Sequence, residues 1–221
     1  MTGSQSRQWK AAVFDLDGTL ADTLRDLAEA TNAALRENGL PPHPVEAYRQ
    51  MVGNGLQKLA ERAAGPDASP ETWERVRQAF LRIYDRDCLI YTRPYAGMPE
   101  TLAMLQERGT ALLVVTNKPD AQAHTIVEAL FGRRLFAGVY GNREGRKTKP
   151  DPALTLAALE SVGVSPSDAL FIGDSNVDVH TAKNAGMKCG GAVWGFRGED
   201  ELREAGADFL LHKPAEILNT Y

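Results

Sequence analysis

The sequence predicts an α/β protein with a doubly wound parallel sheet that is interrupted by a helical segment. Short apolar runs rich in Val, Leu and Ile alternate with helical patterns near residue 13 and again from residue 93 onward. Such runs are typical of parallel strands that crossover helices bury on both faces. Residues 23–92 contain only helical patterns. We therefore predict an α/β core of residues 1–22 and 93–221, with residues 23–92 as a helical insertion.

The helical insertion is predicted from apolar side chains at helical spacing and from signals at helix ends. Gly39 is a common C-terminal cap, and Ser69-Pro70 is typical of an N-cap followed by proline in the first helical turn. Gly53-Asn54-Gly55 separates two shorter helical stretches. Helices of the insertion are expected at residues 24–38, 45–52, 56–64 and 70–87.

The first core strand is predicted around Val13, and the core resumes after residue 93 with strands and helices in alternation. The runs at 111–115 and 169–172 are continuous and apolar, which favours buried strands. Further strands are expected at 136–140, 191–194 and 208–211, and helices at 99–108, 119–130, 152–162 and 177–185. In parallel sheets of this kind, ligands bind beyond the carboxyl ends of the strands.

Composition limits the partners, the cysteine-based sites and the cellular location that we expect. The chain has 221 residues, 43% of them hydrophobic and 24% charged, which is enough for a full core, and its net charge is -4. A nucleic-acid or acidic-membrane partner would require a basic excess, so neither is expected. Cys88 and Cys189 are too far apart in sequence to indicate a zinc site or a disulfide framework. With no signal-like or membrane-spanning run, we expect a cytoplasmic protein, and monomer and homodimer stay equally open.

Two acids follow the first predicted strand, in Asp15-Leu16-Asp17-Gly18-Thr19. Side chains at positions i and i+2 of a strand point to the same side, so the two carboxylates are expected to lie close together. Close carboxylates repel unless a proton or a cation compensates, which makes the pair a candidate for metal binding, for acid and base chemistry, or for both. Asp, Gly and Thr are also ordinary turn residues, and this segment alone fits either interpretation.

Further polar residues follow two other strands and one loop. Thr116-Asn117 comes after one strand, Asp174-Ser175-Asn176 with Asp178 comes after another, and Lys149 lies in the loop before a helix. Each has an ordinary structural alternative, as a helix cap, an acid at a helix N-terminus or a solvated lysine. Together they fit phosphoryl transfer, which requires oxygen ligands for a hard divalent cation, donors to phosphate oxygens and an aligned nucleophile.

The chain resembles the haloacid dehalogenase superfamily of phosphatases, whose four motifs these residues match in order. The motifs here are Asp15-Leu16-Asp17-Gly18-Thr19, Thr116-Asn117, Lys149-Pro150 and Gly173-Asp174-Ser175-Asn176-Val177-Asp178. The resemblance implies a Rossmann-like core and identifies residues 23–92 as the small helical cap of that superfamily. Shorter segments resemble its phosphoglycolate phosphatase branch, namely Val52-Gly53-Asn54-Gly55, Thr116-Asn117-Lys118-Pro119 and Val193-Trp194-Gly195.

The resemblance also implies a catalytic role for each acid. Asp15 is expected to be the nucleophile that forms an aspartyl-phosphate, and Asp17 to protonate the leaving alkoxide and then activate the hydrolytic water. Mg²⁺ is the expected cofactor, held by Asp15, Asp174 and the backbone carbonyl of Asp17. Asp178 is expected to orient Asp174 or a metal-bound water.

The remaining motif residues are expected to bind the substrate. Thr116, the backbone amide of Asn117 and Lys149 would bind the phosphate, and Lys149 would also offset the charge of Asp15. The substrate is expected to be a small phosphorylated metabolite, with 2-phosphoglycolate as the first candidate. The loop Gly53-Asn54-Gly55 precedes a predicted helix, and its free N–H groups together with Asn54 suit the carboxylate of such a substrate.

Four other functions share part of this pattern. A two-carbon dehalogenase uses a nucleophilic aspartate but has less use for Asp17, Asp174 and Asp178. A phosphosugar mutase uses the same acids and differs in whether sugar or water accepts the phosphoryl group. A signalling receiver domain also combines acids, a hydroxyl and a lysine, but the long helical insertion argues against it. A chain that only binds phosphorylated metabolites is the fourth alternative.

Overall fold

The computed structural model describes residues 9–220 of the chain. Its strands are β1 (Ala11–Phe14), β2 (Ala21–Asp22), β3 (Arg93–Pro94), β4 (Ala111–Pro119), β5 (Gly138–Asn142), β6 (Ala169–Gly173), β7 (Lys188–Ala192) and β8 (Phe209–Leu211). Its α-helices are α1 (Leu24–Glu37), α2 (Tyr48–Met51), α3 (Leu56–Ala64), α4 (Pro70–Asp87), α5 (Met98–Glu107), α6 (Asp120–Phe131), α7 (Ala153–Ser161), α8 (Asn176–Ala185) and α9 (Glu199–Ala205). Short 3-10 helices cover Val45–Ala47, Pro166–Asp168 and Pro214–Thr220.

Six strands form a parallel sheet in the order β5-β4-β1-β6-β7-β8. The central strand is β1, where Phe14 pairs with Val114 of β4 and Ile172 of β6. From β1 the chain proceeds outward to β4 and β5, and it then returns to β6 on the other side of β1. The topological switch point therefore lies beside β1, which is where α/β sheets bind ligands.

Apolar side chains cover both faces of the sheet, because successive residues of a strand point to opposite sides. Phe14 and Val114 belong to the core cluster that includes α5, α6 and the helical insertion. Val13 and Phe171 belong to a second cluster, formed with α7, α8 and Leu202 of α9. Both faces are thus buried, and the predicted doubly wound α/β fold is confirmed.

The helical insertion joins the core through a short antiparallel ribbon. In this ribbon β2 pairs with β3, so the two ends of residues 23–92 lie side by side. Within the insertion α1 and α3 pack against α4, and Ser69 caps α4 by accepting a hydrogen bond from the N–H of Thr72 at 3.3 Å. Buried Asp26 of α1 accepts hydrogen bonds from the N–H groups of Tyr91 and Thr92, which fixes the start of α1 to the segment after α4.

Several elements differ from the sequence prediction in extent. The predicted helix 45–52 is a 3-10 turn followed by the single-turn helix α2, and the predicted strand 136–140 lies two residues later, as β5. Strand β4 continues beyond residue 115 to Pro119 because Pro119 still pairs with Asn142 of β5. Helix α9 was not predicted, since Leu202 is its buried side chain and most of its other residues are charged.

Within residues 9–220, no helix combines the length and the apolarity needed to cross a membrane.

Candidate active site

The motif residues predicted from the strand ends meet at the carboxyl edge of β1, β4 and β6. Asp15 and Asp17 follow β1, and Asp174 follows β6 directly. The residues brought together at this edge are Asp15, Asp17, Thr116, Asn117, Lys149, Asp174 and Asp178. All of them are buried except Asp17, which is partly exposed. The site is therefore a largely dehydrated cluster of charged groups.

Lys149 connects two of the acids in a buried ion-pair cluster. Its Nζ lies 3.0 Å from Oδ1 of Asp15 and 2.7 Å from Oδ1 of Asp178. The same oxygen of Asp15 accepts the backbone N–H of Leu16 at 2.7 Å. Oδ2 of Asp178 accepts the N–H of Ser175 at 3.1 Å and its hydroxyl at 2.8 Å. Both oxygens of Asp178 are thus used within the protein.

Burial and mutual repulsion favour the protonated form of two of these acids. Burial raises the pKa of Asp15 to about 6, against the attraction of Lys149. Burial, together with the nearby carboxylates of Asp178 and Asp15, raises the pKa of Asp174 well above 3.8. For Lys149, burial disfavours the charge, but Asp15 and Asp178 outweigh that effect and hold its pKa above 10.5. The lysine is accordingly charged, and full ionisation of the acids would require more positive charge than it supplies.

Two glycines provide the space in which Asp174 sits. A Cβ atom at Gly18 would lie 2.3 Å from Oδ2 of Asp174, and one at Gly195 would lie 2.2 Å from its Cβ. The carboxylate accepts the backbone N–H of Phe196 at 2.7 Å and faces the hydroxyl of Thr19 at 3.4 Å. The loop after β7 therefore fixes Asp174 through backbone contacts. The four motifs did not predict this role for Gly195 or Phe196.

The acid cluster fits a hard divalent cation. Asp15, Asp174 and Asp178 each offer one oxygen, and these oxygens all lie within 4.8 Å of one another. Three carboxylates surround the single ammonium group of Lys149, so the ionised cluster lacks two positive charges. An all-oxygen set with that deficit is the donor chemistry that Mg²⁺ prefers. Both oxygens of Asp178 are bonded to Lys149 and Ser175, whereas Asp15 and Asp174 also line the cavity above the acids, so these two are the carboxylates open to a cation.

The side chain of Asp17 lies apart from this cluster and has its own partners. Its Oδ1 accepts hydrogen bonds from the hydroxyl of Thr23 at 2.7 Å and from Nζ of Lys118 at 2.8 Å. Lys118 also donates to the hydroxyl of Tyr84, at 2.8 Å. In the sequence, Lys118 is notable only as part of Thr116-Asn117-Lys118-Pro119, which resembles the phosphoglycolate phosphatase branch. The signal that could have identified it is its position directly after Thr116-Asn117, at the ligand edge of the sheet.

Thr116 and Asn117 lie next to the cluster, at the end of β4. The nearby hydroxyl of Thr116 opposes the rise in the pKa of Asp15. The side chain of Asn117 accepts the N–H of Lys149 at 2.8 Å and donates to the carbonyl of Lys149 at 3.1 Å and of Gly53 at 3.0 Å. Asn117 thus connects the Lys149 loop to the helical insertion, which its sequence position did not indicate.

A cavity opens above the acids, between the core and the helical insertion. Its polar lining includes Asp15, Asp17 and Asp174. Gly53 and Gly55 also line it, whereas Asn54 is held elsewhere, by a hydrogen bond from Arg62 at 2.7 Å. The rest of its wall is largely apolar, and the side chains that form this apolar wall are Leu27, Val52, Leu56, Leu59, Phe80 and Phe196.

Polar contacts hold the helical insertion against the core at the rim of this cavity. Arg197 donates to the carbonyl of Val52 at 2.8 Å and also bonds to the side chain of Gln50. From the insertion, Arg49 donates to the carbonyl of Gly195 at 3.2 Å. The guanidinium of Arg197 is thus occupied by the insertion although it lines the cavity.

Comparison with known proteins identifies the family. The family model described as haloacid dehalogenase-like hydrolase matches residues 12–192. A curated N-acetylmuramic acid 6-phosphate phosphatase from Pseudomonas aeruginosa is 36% identical over 212 residues, which cover 95% of this chain and 93% of the relative. A curated phosphoglycolate phosphatase from Aquifex aeolicus is 32% identical over 209 residues, which cover 95% of each chain.

A solved structure agrees with these matches. A haloacid dehalogenase-like family hydrolase from Streptococcus pneumoniae superposes with a TM-score of 0.86 at 25% identity, covering 96% of this chain and 97% of that one. The resemblance predicted from the four motifs is therefore confirmed: this chain is a phosphatase that belongs to the haloacid dehalogenase-like hydrolases.

Proposed function

We propose that this phosphatase is a magnesium-dependent phosphomonoester hydrolase that acts on a small metabolite through an aspartyl-phosphate on Asp15. The observation that carries the proposal is the buried cluster of Asp15, Lys149, Asp174 and Asp178 at the base of the cavity. A buried carboxylate beside a fixed ammonium and a cation site is suited to attack a phosphorus atom whose oxygens are negatively charged.

Asp15 is the proposed nucleophile because its surroundings orient it. Lys149 and the N–H of Leu16 both hold Oδ1, which leaves Oδ2 to attack the phosphorus. Lys149 and Thr116 would then bind the equatorial phosphate oxygens, together with the backbone N–H of Asn117. When bound by Asp15, Asp174 and the carbonyl of Asp17, Mg²⁺ would neutralise charge on the transferring phosphoryl group.

Asp17 is the proposed general acid and base. Its partly exposed carboxylate lines the cavity next to Asp15 and is outside the cation cluster. In the first step it would donate a proton to the departing alkoxide of the substrate. In the second step it would accept a proton from the water that attacks the aspartyl-phosphate.

Residues 23–92 are proposed to act as a cap that selects the substrate. They supply most of the apolar wall, and they supply the Gly53-Asn54-Gly55 loop before α3. For 2-phosphoglycolate, the backbone N–H groups of this loop would receive the carboxylate. Support for that substrate comes from the family-like segments and from relatives named phosphoglycolate phosphatase.

A second candidate is a larger sugar phosphate with apolar substituents. The observation that favours it is the apolar wall, since 2-phosphoglycolate has little apolar surface to place against it. Support also comes from a relative named N-acetylmuramic acid 6-phosphate phosphatase, since the match to this chain covers 93% of that relative. Measuring kcat/KM with Mg²⁺ for both esters decides between them, and the larger value identifies the substrate class.

The nucleophile is tested with Asp15→Asn, which keeps the size of the side chain but cannot attack phosphorus. We expect phosphate release to be abolished, and acid-quenched wild-type enzyme to retain covalent phosphate from labelled substrate while the variant retains none. Asp208→Asn is the matched control, because Asp208 pairs with Lys188 at the surface. Near-normal turnover by Asp15→Asn would refute the mechanism.

A further inference from the structure

Lys118 is a charged residue of the cavity to which the proposed mechanism gives no role. Its side chain is 1% exposed, and its Nζ lies 2.8 Å from Oδ1 of Asp17, 3.1 Å from Oδ2 and 2.8 Å from the hydroxyl of Tyr84. An ammonium group has three N–H donors, and these three oxygens account for them. Lys118 is thus committed to Asp17 and Tyr84, which leaves no donor for a substrate.

The two partners of Lys118 come from different parts of the molecule. Asp17 follows β1 of the core, whereas Tyr84 lies on α4 of the helical insertion. Tyr84 is 1% exposed and stacks on Phe80 with ring centroids 4.9 Å apart. Burial raises the pKa of Tyr84 well above 10.0, so its hydroxyl stays neutral, and its oxygen accepts a hydrogen bond from the ammonium. The insertion therefore completes the hydrogen bonding of Lys118.

The orientation of Asp17 depends on these contacts. Its carboxylate is held at Oδ1 by Thr23 and Lys118, and at Oδ2 by Lys118 alone. Without Lys118 the carboxylate could rotate about its last side-chain bond, because Thr23 contacts only one oxygen. Proton transfer requires hydrogen-bond distance to the leaving oxygen, so a rotated carboxylate loses rate.

We propose that Lys118 is a positioning residue that orients Asp17 for proton transfer, and that Tyr84 of the helical insertion holds Lys118 in place. This inference rests on the proposed function, in which Asp17 is the general acid. It assigns Lys118 no contact with the phosphate. Its effect on the reaction should therefore pass entirely through Asp17.

The test uses two substrates that differ in their need for a general acid. 2-Phosphoglycolate has an alkoxide leaving group that must be protonated, while p-nitrophenyl phosphate releases a stable phenolate. The value of kcat/KM covers the steps up to departure of the leaving group. Lys118→Met should therefore lower kcat/KM about 10- to 100-fold for 2-phosphoglycolate, which is part of the roughly 10²–10⁴-fold that a positioned acid contributes. The loss for p-nitrophenyl phosphate should be less than about 3-fold.

A double variant separates positioning from direct substrate binding. In an Asp17→Asn background, Lys118→Met should cause no further loss with 2-phosphoglycolate, because residues that act as a unit are not additive. Lys118→Arg keeps a charged donor and should retain more activity than Lys118→Met. Equal losses on both substrates, or full additivity with Asp17→Asn, would overturn the proposal and indicate that Lys118 contacts substrate or only supports the fold.

Tyr84→Phe examines the contribution of the helical insertion. It should also lower kcat/KM selectively for 2-phosphoglycolate, by a smaller factor than Lys118→Met. Tyr48→Phe is its matched control, because Tyr48 is a buried tyrosine of the insertion whose hydroxyl bonds to Asn32, away from the site. A selective loss with Tyr48→Phe, or none with Tyr84→Phe, would overturn the role given to Tyr84.

Failure of the inference is distinguishable from failure of the proposed function. If Asp17→Asn lowers kcat/KM for 2-phosphoglycolate but Lys118→Met does not, the mechanism stands and the positioning role is refuted. If Asp17→Asn has no effect, Asp17 is not the general acid, and the inference fails with the proposed function.

Discussion

Removing Lys149 should destabilise the metal-free protein strongly and in a pH-dependent way. The perturbation is Lys149→Met, which keeps an unbranched side chain but removes the ammonium from between Asp15 and Asp178. At the observed separations of 3.0 and 2.7 Å, Coulomb's law with an effective dielectric constant of about 20 gives roughly 5 to 6 kcal/mol of attraction per pair. Dehydration of the lysine offsets part of this, and removal of one partner from a buried pair typically costs about 3–5 kcal/mol.

The pH dependence follows from the raised pKa of Asp15. Because its pKa of about 6 in the folded chain exceeds 3.8, the folded state binds more protons than the unfolded state, and stability falls as the pH rises from about 4 to 6. The difference between these two pKa values corresponds to about 3 kcal/mol of unfolding free energy. Lys149→Met removes the attraction that opposes the raised pKa of Asp15, so in the variant the loss of stability extends to higher pH. The variant should therefore be more destabilised at pH 7.5 than at pH 5, by at least about 1 kcal/mol.

The assay is urea unfolding at both pH values with a chelator present, so that bound metal does not contribute. Lys10→Met is the matched control, since Lys10 pairs with Asp168 at 2.9 Å but its side chain is 68% exposed. Such an exposed pair contributes about 0–1 kcal/mol. The reasoning would be refuted if the two variants lost the same free energy of unfolding, or if the loss in Lys149→Met were equal at pH 5 and pH 7.5.

Three further perturbations test other parts of the site. Asp174→Ala should raise the Mg²⁺ concentration for half-maximal activity at least about tenfold, and Ca²⁺ should inhibit the wild type because it takes more ligands at longer distances; an unchanged Mg²⁺ titration would contradict the assignment. Gly195→Ala would place a Cβ 2.2 Å from that of Asp174, so activity and melting temperature should both fall, and normal values would show that the loop adapts. Asn117→Ala leaves the buried N–H of Lys149 without its partner, which should cost about 1–3 kcal/mol in urea unfolding, and a smaller loss would mean that water replaces the amide.

The selectivity of the Gly53-Asn54-Gly55 loop needs a different kind of substitution. Gly53 and Gly55 have φ values of 115° and 86°, so alanine at either position would strain the loop whatever the substrate. Asn54→Ala is less disruptive, because it removes only the hydrogen bond from Arg62. Losing this bond should loosen the loop and misplace its backbone N–H groups. If these groups recognise the carboxylate, Asn54→Ala should raise KM for 2-phosphoglycolate more than for p-nitrophenyl phosphate. Equal changes would favour a purely structural loop.

The sequence by itself determined the α/β class, the parallel sheet and the motif residues at its edge. These features are local, since continuous apolar runs mark strands buried on both faces, and the residue after each strand marks the ligand edge. Asp15 and Asp174 were found in this way from their positions after β1 and β6. The ends of strands were predicted less accurately where pairing with a neighbouring strand sets them. Strand β4, for example, continues to Pro119 because β5 lies beside it.

Only the tertiary structure decided how the side chains at this edge pair with one another. Lys118 and Asp17 are 101 positions apart, and Tyr84 is 34 positions from Lys118. Asn117 and Gly53 meet across 64 positions. Periodicity shows which face of an element is buried but not which distant element covers it. The partners of these buried polar groups therefore depend on how the helical insertion packs over the sheet, because each group must find a hydrogen-bond partner in the place where packing leaves it.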